Sequence, residues 1–196
     1  NGSVSARSEE RIVISVDEKP SIQALERATG YVQTDSGKIV RGMKSTYKRH
    51  GTVNLFAALT VATGAIRGEM TERKRRVEFI AFMDRLAADF PADREIHVIL
   101  DNYCIHKKNE AWLAAHPNVH FHFTPTSASW MNMVEIWFGI MSRKALKGAS
   151  FTDTVALRQA IQDFIDAYGP KARPFVWRKR EVKGTQLRNT IVNLCN

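Results

Sequence analysis

Two short runs, Arg-Ile-Val-Ile-Ser-Val from Arg11 and Glu-Ile-His-Val-Ile-Leu from Glu95, are each stopped by an aspartate, Asp17 and Asp101. Both are rich in β-branched residues and too short for a buried helix, so they read as strands with their flanks covered. Helices must then supply the cover. Between and after them lie segments with apolar residues at helical spacing, which restricts the chain to a layered α/β arrangement.

The intervening elements follow from the same periodicities. Thr52 to Val61 and Ala65 to Met70 read as strands joined through Ala62-Thr63-Gly64, a hairpin. Thr71 is a plausible N-cap for a helix in which Val77, Phe79, Ile80, Phe82, Met83, Leu86, Ala87 and Phe90 recur at helical spacing up to Pro91. His106 to Ala115 reads as helix, Val119 to Phe123 as strand, and Thr124 to Ser129 as a loop ending in an N-cap. Trp130 to about Lys147 is then a helix burying Met133, Val134, Trp137, Ile140 and Met141. A last helix, Thr152 to Tyr168, turns Val155, Leu157, Ile161, Phe164 and Ile165 inward and ends at Gly169-Pro170. Pro20 and Ser21 break the first strand, and Tyr31 to Gly51, with no steady period, reads as an irregular loop. The order describes a mixed sheet with helices on its faces, and ligands in such sheets sit beyond the strand ends.

With 196 residues, one ordinary domain is the expectation. We set its limits at residues 11–180, after a linker or expression remnant over residues 1–10 and before a tail over 181–196. The 29 Lys and Arg against 20 Asp and Glu leave a net charge of +9 and a pI near 9.8. Such a surface suits a polyanion, nucleic acid first and an anionic membrane second, although a basic solvated surface has the same composition. Cys104 and Cys195 have neither disulfide nor zinc-ribbon spacing, which fits a reducing compartment. No apolar stretch approaches the roughly 20 residues of a membrane span.

The basic residues concentrate in two places. Lys38, Arg41, Lys44, Lys48, Arg49 and His50 interleave with Tyr31 and Tyr47, a pattern that could track a phosphate backbone or simply be solvated. Arg73, Lys74, Arg75 and Arg76 stand where a helix begins. Cations there oppose the helix dipole, so they point either to a ligand or to a solvated face.

A third acid, Glu135, falls on the Trp130 helix 34 positions beyond Asp101. Three converging carboxylates would repel and hold protons unless hard divalent cations lay between them. Oxygen ligands select magnesium or manganese. Two such ions about 3.5–4 Å apart support in-line phosphoryl displacement. Asn132 lies one turn before Glu135, and Gly139 and Ser142 leave room beyond it.

Three ordered phrases carry a specific resemblance. Val16-Asp17-Glu18-Lys19, Leu100-Asp101-Asn102-Tyr103-Cys104-Ile105-His106-Lys107 and the stretch from Thr124 to Glu135 resemble the catalytic blocks of DDE transposases. They look most like the bacterial insertion-sequence branch of the mariner superfamily, which typically separates its last two acids by 34. The likeness runs from about Arg11 to Arg178 and includes Phe175-Val176-Trp177. It implies a ribonuclease-H-like, mixed five-stranded sheet flanked by helices. Asp17, Asp101 and Glu135 match the catalytic, metal-binding triad, while Asn102, His106 and Asn132 match polar positions around it. The implied cofactor is magnesium, two ions in the family's usual scheme and replaceable by manganese. The implied activity is hydrolysis at transposon ends followed by strand transfer into target DNA, commonly at TA. The implied setting is the bacterial cytoplasm, on nucleoid DNA, with a homodimer in the full-length protein. Family members carry N-terminal helix-turn-helix modules, and this sequence starts almost at the first catalytic strand; the expectation is either an isolated catalytic domain or a chain from which an N-terminal portion was removed.

Three other readings compete. A non-catalytic or domesticated DNA-binding remnant would not need all three acids. Another nuclease of the same fold would not need the blocks around Asp101 and Glu135. A zinc site drawn from His97, Cys104, His106, His116, His120 and His122 has none of the usual ligand spacings.

Overall fold

The computed structural model describes residues 11–33, 35–125 and 132–176, with the side chains of residues 29–33 and 39–45 excluded. Its strands are β1 (Arg11–Gln33), β2 (Ile39–Thr60), β3 (Ile66–Thr71), β4 (Glu95–Leu100) and β5 (Val119–Phe123). Its α-helices are α1 (Arg76–Ala88), α2 (Glu110–Ala115), α3 (Val134–Met141) and α4 (Thr154–Tyr168). The sheet order is β3-β2-β1-β4-β5. β1, β2 and β3 form an antiparallel meander, and β4 and β5 add to β1 in parallel. This is the mixed five-stranded, ribonuclease-H-like sheet that the sequence resemblance implies.

Alternation along β1 divides the interior in two. Ile14 and Val16 face one side, where Phe56, Phe79, Phe82, Val98 and Leu100 form a core beneath α1. Ala57 and Leu59, paired with Asp17 and Ser15, face the other side, where Trp137, Met141, Leu157 and Ile161 pack from α3 and α4. Adjacent residues of one strand therefore serve opposite layers. The parallel register of β1 with β4 ends at Ser15 opposite Ile99, so Asp17 and Asp101 both stand two residues past the last pair.

Several elements differ from the expectations. Tyr31 to Gly51 is not an irregular loop, because most of it pairs in a long β1–β2 hairpin whose register runs to Gln33 opposite Ile39. From Lys19 to Gln33 this arm is about 46 Å long at 3.3 Å per residue. Thr46, Tyr47, Lys48 and Arg49 on it are exposed, so no buried face imposes a two-residue period on that stretch. Pro20 and Ser21 do not end the strand; the register shifts between Lys19 and Ile22, with Ser21 at φ 52°. Arg27 N–H donates to Ser150 Oγ, and Phe151 N–H to Leu25 O, which ties the arm's root to the body.

Thr71 closes β3 rather than capping α1, and α1 begins after Arg75, whose backbone N–H donates to Glu78 Oε2 at 2.9 Å. The helix expected from His106 starts only at Glu110, and residues 104–108 form turns. The helix expected over Trp130 to Lys147 is α-helical over Val134–Met141 and continues as a π-helical turn, Ser142–Leu146. Val155, expected inward, is 73% exposed, and Val77 is 60% exposed. Both stand in the opening turns of their helices and face outward. Trp130, the Ser129 cap, Trp177 and Arg178 lie outside the described residues, as do the side chains of Tyr31, Arg41 and Lys44.

Candidate active site

β4 stops at Leu100 while β1 runs on, which opens the edge of β1 beside Asp17. Asp17 is buried and doubly held. Its Oδ1 accepts from Glu18 N–H at 2.8 Å and its Oδ2 from Asn132 Nδ2 at 3.3 Å. Asn132 is wholly buried, and its Nδ2 also donates to Val16 O at 2.9 Å, while its Oδ1 accepts from Ser15 Oγ. Ser15 Oγ in turn accepts from Val134 N–H at 3.0 Å, at the first residue of α3. This buried polar chain fixes the start of α3, and so Glu135, against the strand that carries Asp17.

Burial is the largest cause that raises the Asp17 carboxyl, and the charges of Asp101, Glu18 and Glu135 add to it. The Glu18 backbone hydrogen bond opposes them, and the net effect lifts the pKa from 3.8 to about 7. The charges of Asp101 and Glu135, remote in sequence, thus reach Asp17 through space. Among the described residues, however, no three His, Cys, Asp or Glu side chains are already gathered so as to hold a metal ion.

Asp101 begins the loop after β4. Its Oδ1 accepts from Tyr103 N–H at 2.9 Å and lies 2.8 Å from His106 Nδ1. His106 Nε2 is 3.0 Å from Glu18 Oε2. Burial alone would push the His106 imidazole down, but the Glu18 hydrogen bond and the charges of Glu18 and Asp101 outweigh it, and the net direction is up. Asn102, expected among the supporting polar groups, is exposed, and its Nδ2 donates to Thr124 O across the ends of β4 and β5. Glu135 is exposed in the first turn of α3, where a carboxylate complements the helix dipole.

Oxygen-rich, partly buried and short of positive charge, the acids suit a hard divalent cation better than zinc. A buried Glu18 Oε1 without a hydrogen-bond partner adds to that deficit. Glu18 is the participant that sequence reasoning passed over. Its position next to Asp17 was the available signal, masked because strand alternation sends neighbours to opposite faces. The histidines tell a different story: His97 and His122 meet through Nδ1 and Nε2 at 2.9 Å, and His120 stacks on His97 at 5.1 Å, without forming a ligand set.

The basic run before α1 is largely committed to the protein. Arg75 pairs with Glu78, while Arg76 donates to Cys104 O at 3.1 Å and Lys108 O at 3.3 Å. Lys74 Nζ lies 4.5 Å above the Tyr103 ring. Arg73 is exposed, as are Lys38, Lys48 and Arg49 on or beside the long hairpin.

A family model described as DDE superfamily endonuclease matches residues 13–158, a span that includes all three acids. The chain is 26% identical over 118 residues to the insertion element IS630 uncharacterized 39 kDa protein of Shigella sonnei, covering 59% of this chain and 34% of that protein. Its fold resembles a chain of the Mos1 strand transfer complex with a TM-score of 0.59 at 14% identity, over 79% of this chain and 47% of that one. A lesser likeness, TM-score 0.45 at 12% identity over 81% of this chain and 58% of the other, is to the simian T-cell lymphotropic virus intasome in complex with PP2A regulatory subunit B56 gamma. The chain therefore spans about a third of its curated relative and under half of the Mos1 chain.

Proposed function

The chain belongs to the DDE superfamily of endonucleases, a family of divalent-metal nucleases, and from that premise we propose that Asp17, Asp101 and Glu135 are its metal-binding triad. The reaction we assign is hydrolysis of a phosphodiester at the end of a mobile DNA element, followed by attack of the freed 3′ hydroxyl on target DNA. The observation that carries this reading is electrostatic: the Asp17 carboxyl, raised to about 7, feels Asp101 and Glu135 together at the open ends of β1 and β4.

Two magnesium ions, or manganese in their place, would supply activation of the attacking oxygen and stabilisation of the leaving one. The protein's own share is to hold and expose oxygens. Asp17 is pinned by Glu18 N–H and Asn132 and cannot rotate without breaking both bonds. Asp101 is fixed through Oδ1 by Tyr103 N–H, which leaves Oδ2 with no hydrogen-bond partner among the described residues. Glu135 stands in the opening turn of α3 with no ion pair among the described residues, so its carboxylate can move inward. A proton shared at Asp17 near neutral pH is the group that a bound cation would displace.

The DNA contacts we assign are Lys38, Arg41, Lys44, Lys48 and Arg49 along the hairpin, with Arg73 and Lys74 beside the Asp101 loop. Paired element ends require two active sites, so the longer protein acts as a homodimer, on chromosomal DNA in the bacterial cytoplasm. Among the described residues no helix is long and apolar enough to cross a membrane.

The test is nicking of supercoiled plasmid in magnesium or manganese by the chain and by Asp17→Asn, Asp101→Asn and Glu135→Gln. Each substitution should abolish nicking; equal nicking by Asp101→Asn and the unsubstituted chain overturns the triad. For DNA contacts, neutralising Lys48 and Arg49 should weaken binding across sequences and flatten its salt dependence by about one phosphate per charge removed. An unchanged salt slope removes the hairpin from the interface.

A further inference from the structure

We propose that Glu18 and His106 form a positioning clamp that holds Asp101 by one oxygen and turns its other oxygen toward the site, an inference that rests on the triad reading above. Glu18 follows Asp17 on β1 but points into the opposite layer, where its side chain is only 4% exposed. There its Oε2 takes the hydrogen bond from His106 Nε2 at 3.0 Å, and its Oε1 has no partner. The His106 side chain is fully buried, with Phe79 against the ring at 4.8 Å between centroids and Tyr103 edge-on at 5.9 Å. The loop is stiffened from behind by Asn109, whose Nδ2 donates to His106 O at 2.9 Å and Ile105 O at 3.1 Å. From this fixed ring Nδ1 hydrogen-bonds to the Asp101 backbone carbonyl at 3.3 Å and lies 2.8 Å from Asp101 Oδ1, so it braces both the main chain and the carboxylate of Asp101.

The arrangement links the two strand-end acids through the floor of the sheet. Glu18 is covalently adjacent to Asp17, and through His106 it sets the rotamer of Asp101, which follows β4. Stability alone is a poor reason for it. A buried carboxylate–imidazole pair loses most of its Coulombic gain to desolvation, and a well-packed apolar pair in its place is often as stable. What an apolar pair cannot do is direct a carboxylate. Partners that orient a ligand in this way typically change metal affinity 10- to 100-fold when removed.

Charge bookkeeping gives a clean test. Replacing both residues in Glu18→Leu/His106→Leu removes the orienting contacts, whereas Glu18→Gln removes the same carboxylate charge and keeps an acceptor for His106, so the two variants together separate lost orientation from a changed field. Manganese affinity, read from loss of the free-ion paramagnetic resonance signal, should fall about 10-fold or more. The variant should still unfold cooperatively within a few degrees of the unsubstituted chain. Glu18→Gln, whose amide oxygen can still accept from His106 Nε2, should retain affinity within about threefold. Affinity unchanged in the double variant while Asp101→Asn abolishes binding overturns the clamp alone. Manganese binding that ignores Asp101→Asn, or no binding by the unsubstituted chain, overturns the triad reading and the clamp with it. If the double variant does not fold, His106→Gln, which keeps one donor for Asp101 or Glu18 but not both, decides by the same affinity measurement: a loss of about threefold or more supports the clamp and none overturns it.

Discussion

Asp17→Asn should make the metal-free protein more stable at pH 8 and less stable at pH 4. In the folded chain the carboxyl is raised from 3.8 to about 7, first by burial and then by Asp101, Glu18 and Glu135. A group whose folded pKa is raised favours folding while protonated in both states, below about 4. That contribution is lost as pH rises through about 7, because ionising Asp17 is harder in the folded chain than in the unfolded one. At about 1.4 kcal/mol per pH unit, a rise of this size corresponds to roughly 4 kcal/mol of destabilisation at pH 8. Asparagine escapes it, since it never ionises. It does lose one contact: its oxygen can accept from Glu18 N–H, but its amide then meets Asn132 Nδ2 donor to donor. Asn132 cannot flip to help, because its Oδ1 is taken by Ser15 Oγ. That mismatch costs about 1 kcal/mol. The net gain at pH 8 is then roughly 3 kcal/mol, about 6–12 °C in melting temperature for a chain of this size. At pH 4 only the mismatch remains, and the variant should melt a few degrees lower. Melts followed by circular dichroism in EDTA at both pH values measure the crossover. Manganese added at pH 8 should raise the melting temperature of the unsubstituted chain far more than that of the variant. A difference between the two proteins that is independent of pH refutes the electrostatic account of Asp17.

Asn132→Ala should cost about 2–4 kcal/mol in denaturant unfolding, because it strips donors from Val16 O and Asp17 and orphans the Ser15 hydroxyl in a buried site. Arg76→Ala should speed hydrogen exchange across residues 104–109, whose Cys104 and Lys108 carbonyls it braces, and leave the salt slope of DNA binding unchanged. A slope flattened by about one would instead put its guanidinium on a phosphate. Gly64→Ala should lower stability by at least about 2 kcal/mol, since Gly64 has φ +73° and an added Cβ would stand 2.0 Å from Arg173 O. On α4, Val155→Lys should be neutral within about 0.5 kcal/mol while Leu157→Ala costs about 2–5, because the first side chain is exposed and the second fully buried.

What could be read directly was whatever local chemistry enforces. β-Branched runs that end in aspartate announced β1 and β4, and the Thr63-Gly64 turn announced the β2–β3 hairpin. Apolar residues at helical spacing announced α1, α3 and α4, because a helix or strand must bury one face whatever it packs against. The three acidic blocks named the family from short-range pattern alone. The outer hairpin arm escaped this kind of reading for a physical reason: its strands are held by each other's backbone groups, and Thr46 to Arg49 are all exposed, so nothing in those side chains had to alternate. The same limit applied to the basic run. Residues 73–76 are cations in any reading, and only the docking of α1 against the loop after β4 set Arg76 under two carbonyls and Lys74 over a ring.

Local pattern thus determined which elements form and which acids end them, because hydrogen bonding and apolar burial act over a few residues. Tertiary structure alone decided which side chains share an environment. Parallel pairing of β1 with β4 put Asp17 and Asp101 at one level of the sheet. Strand alternation sent Glu18 to His106 in the opposite layer, and the buried Ser15–Asn132 chain brought α3 and its glutamate to β1. Electrostatic coupling depends on distance through space, and distance along a polypeptide carries almost no information about it.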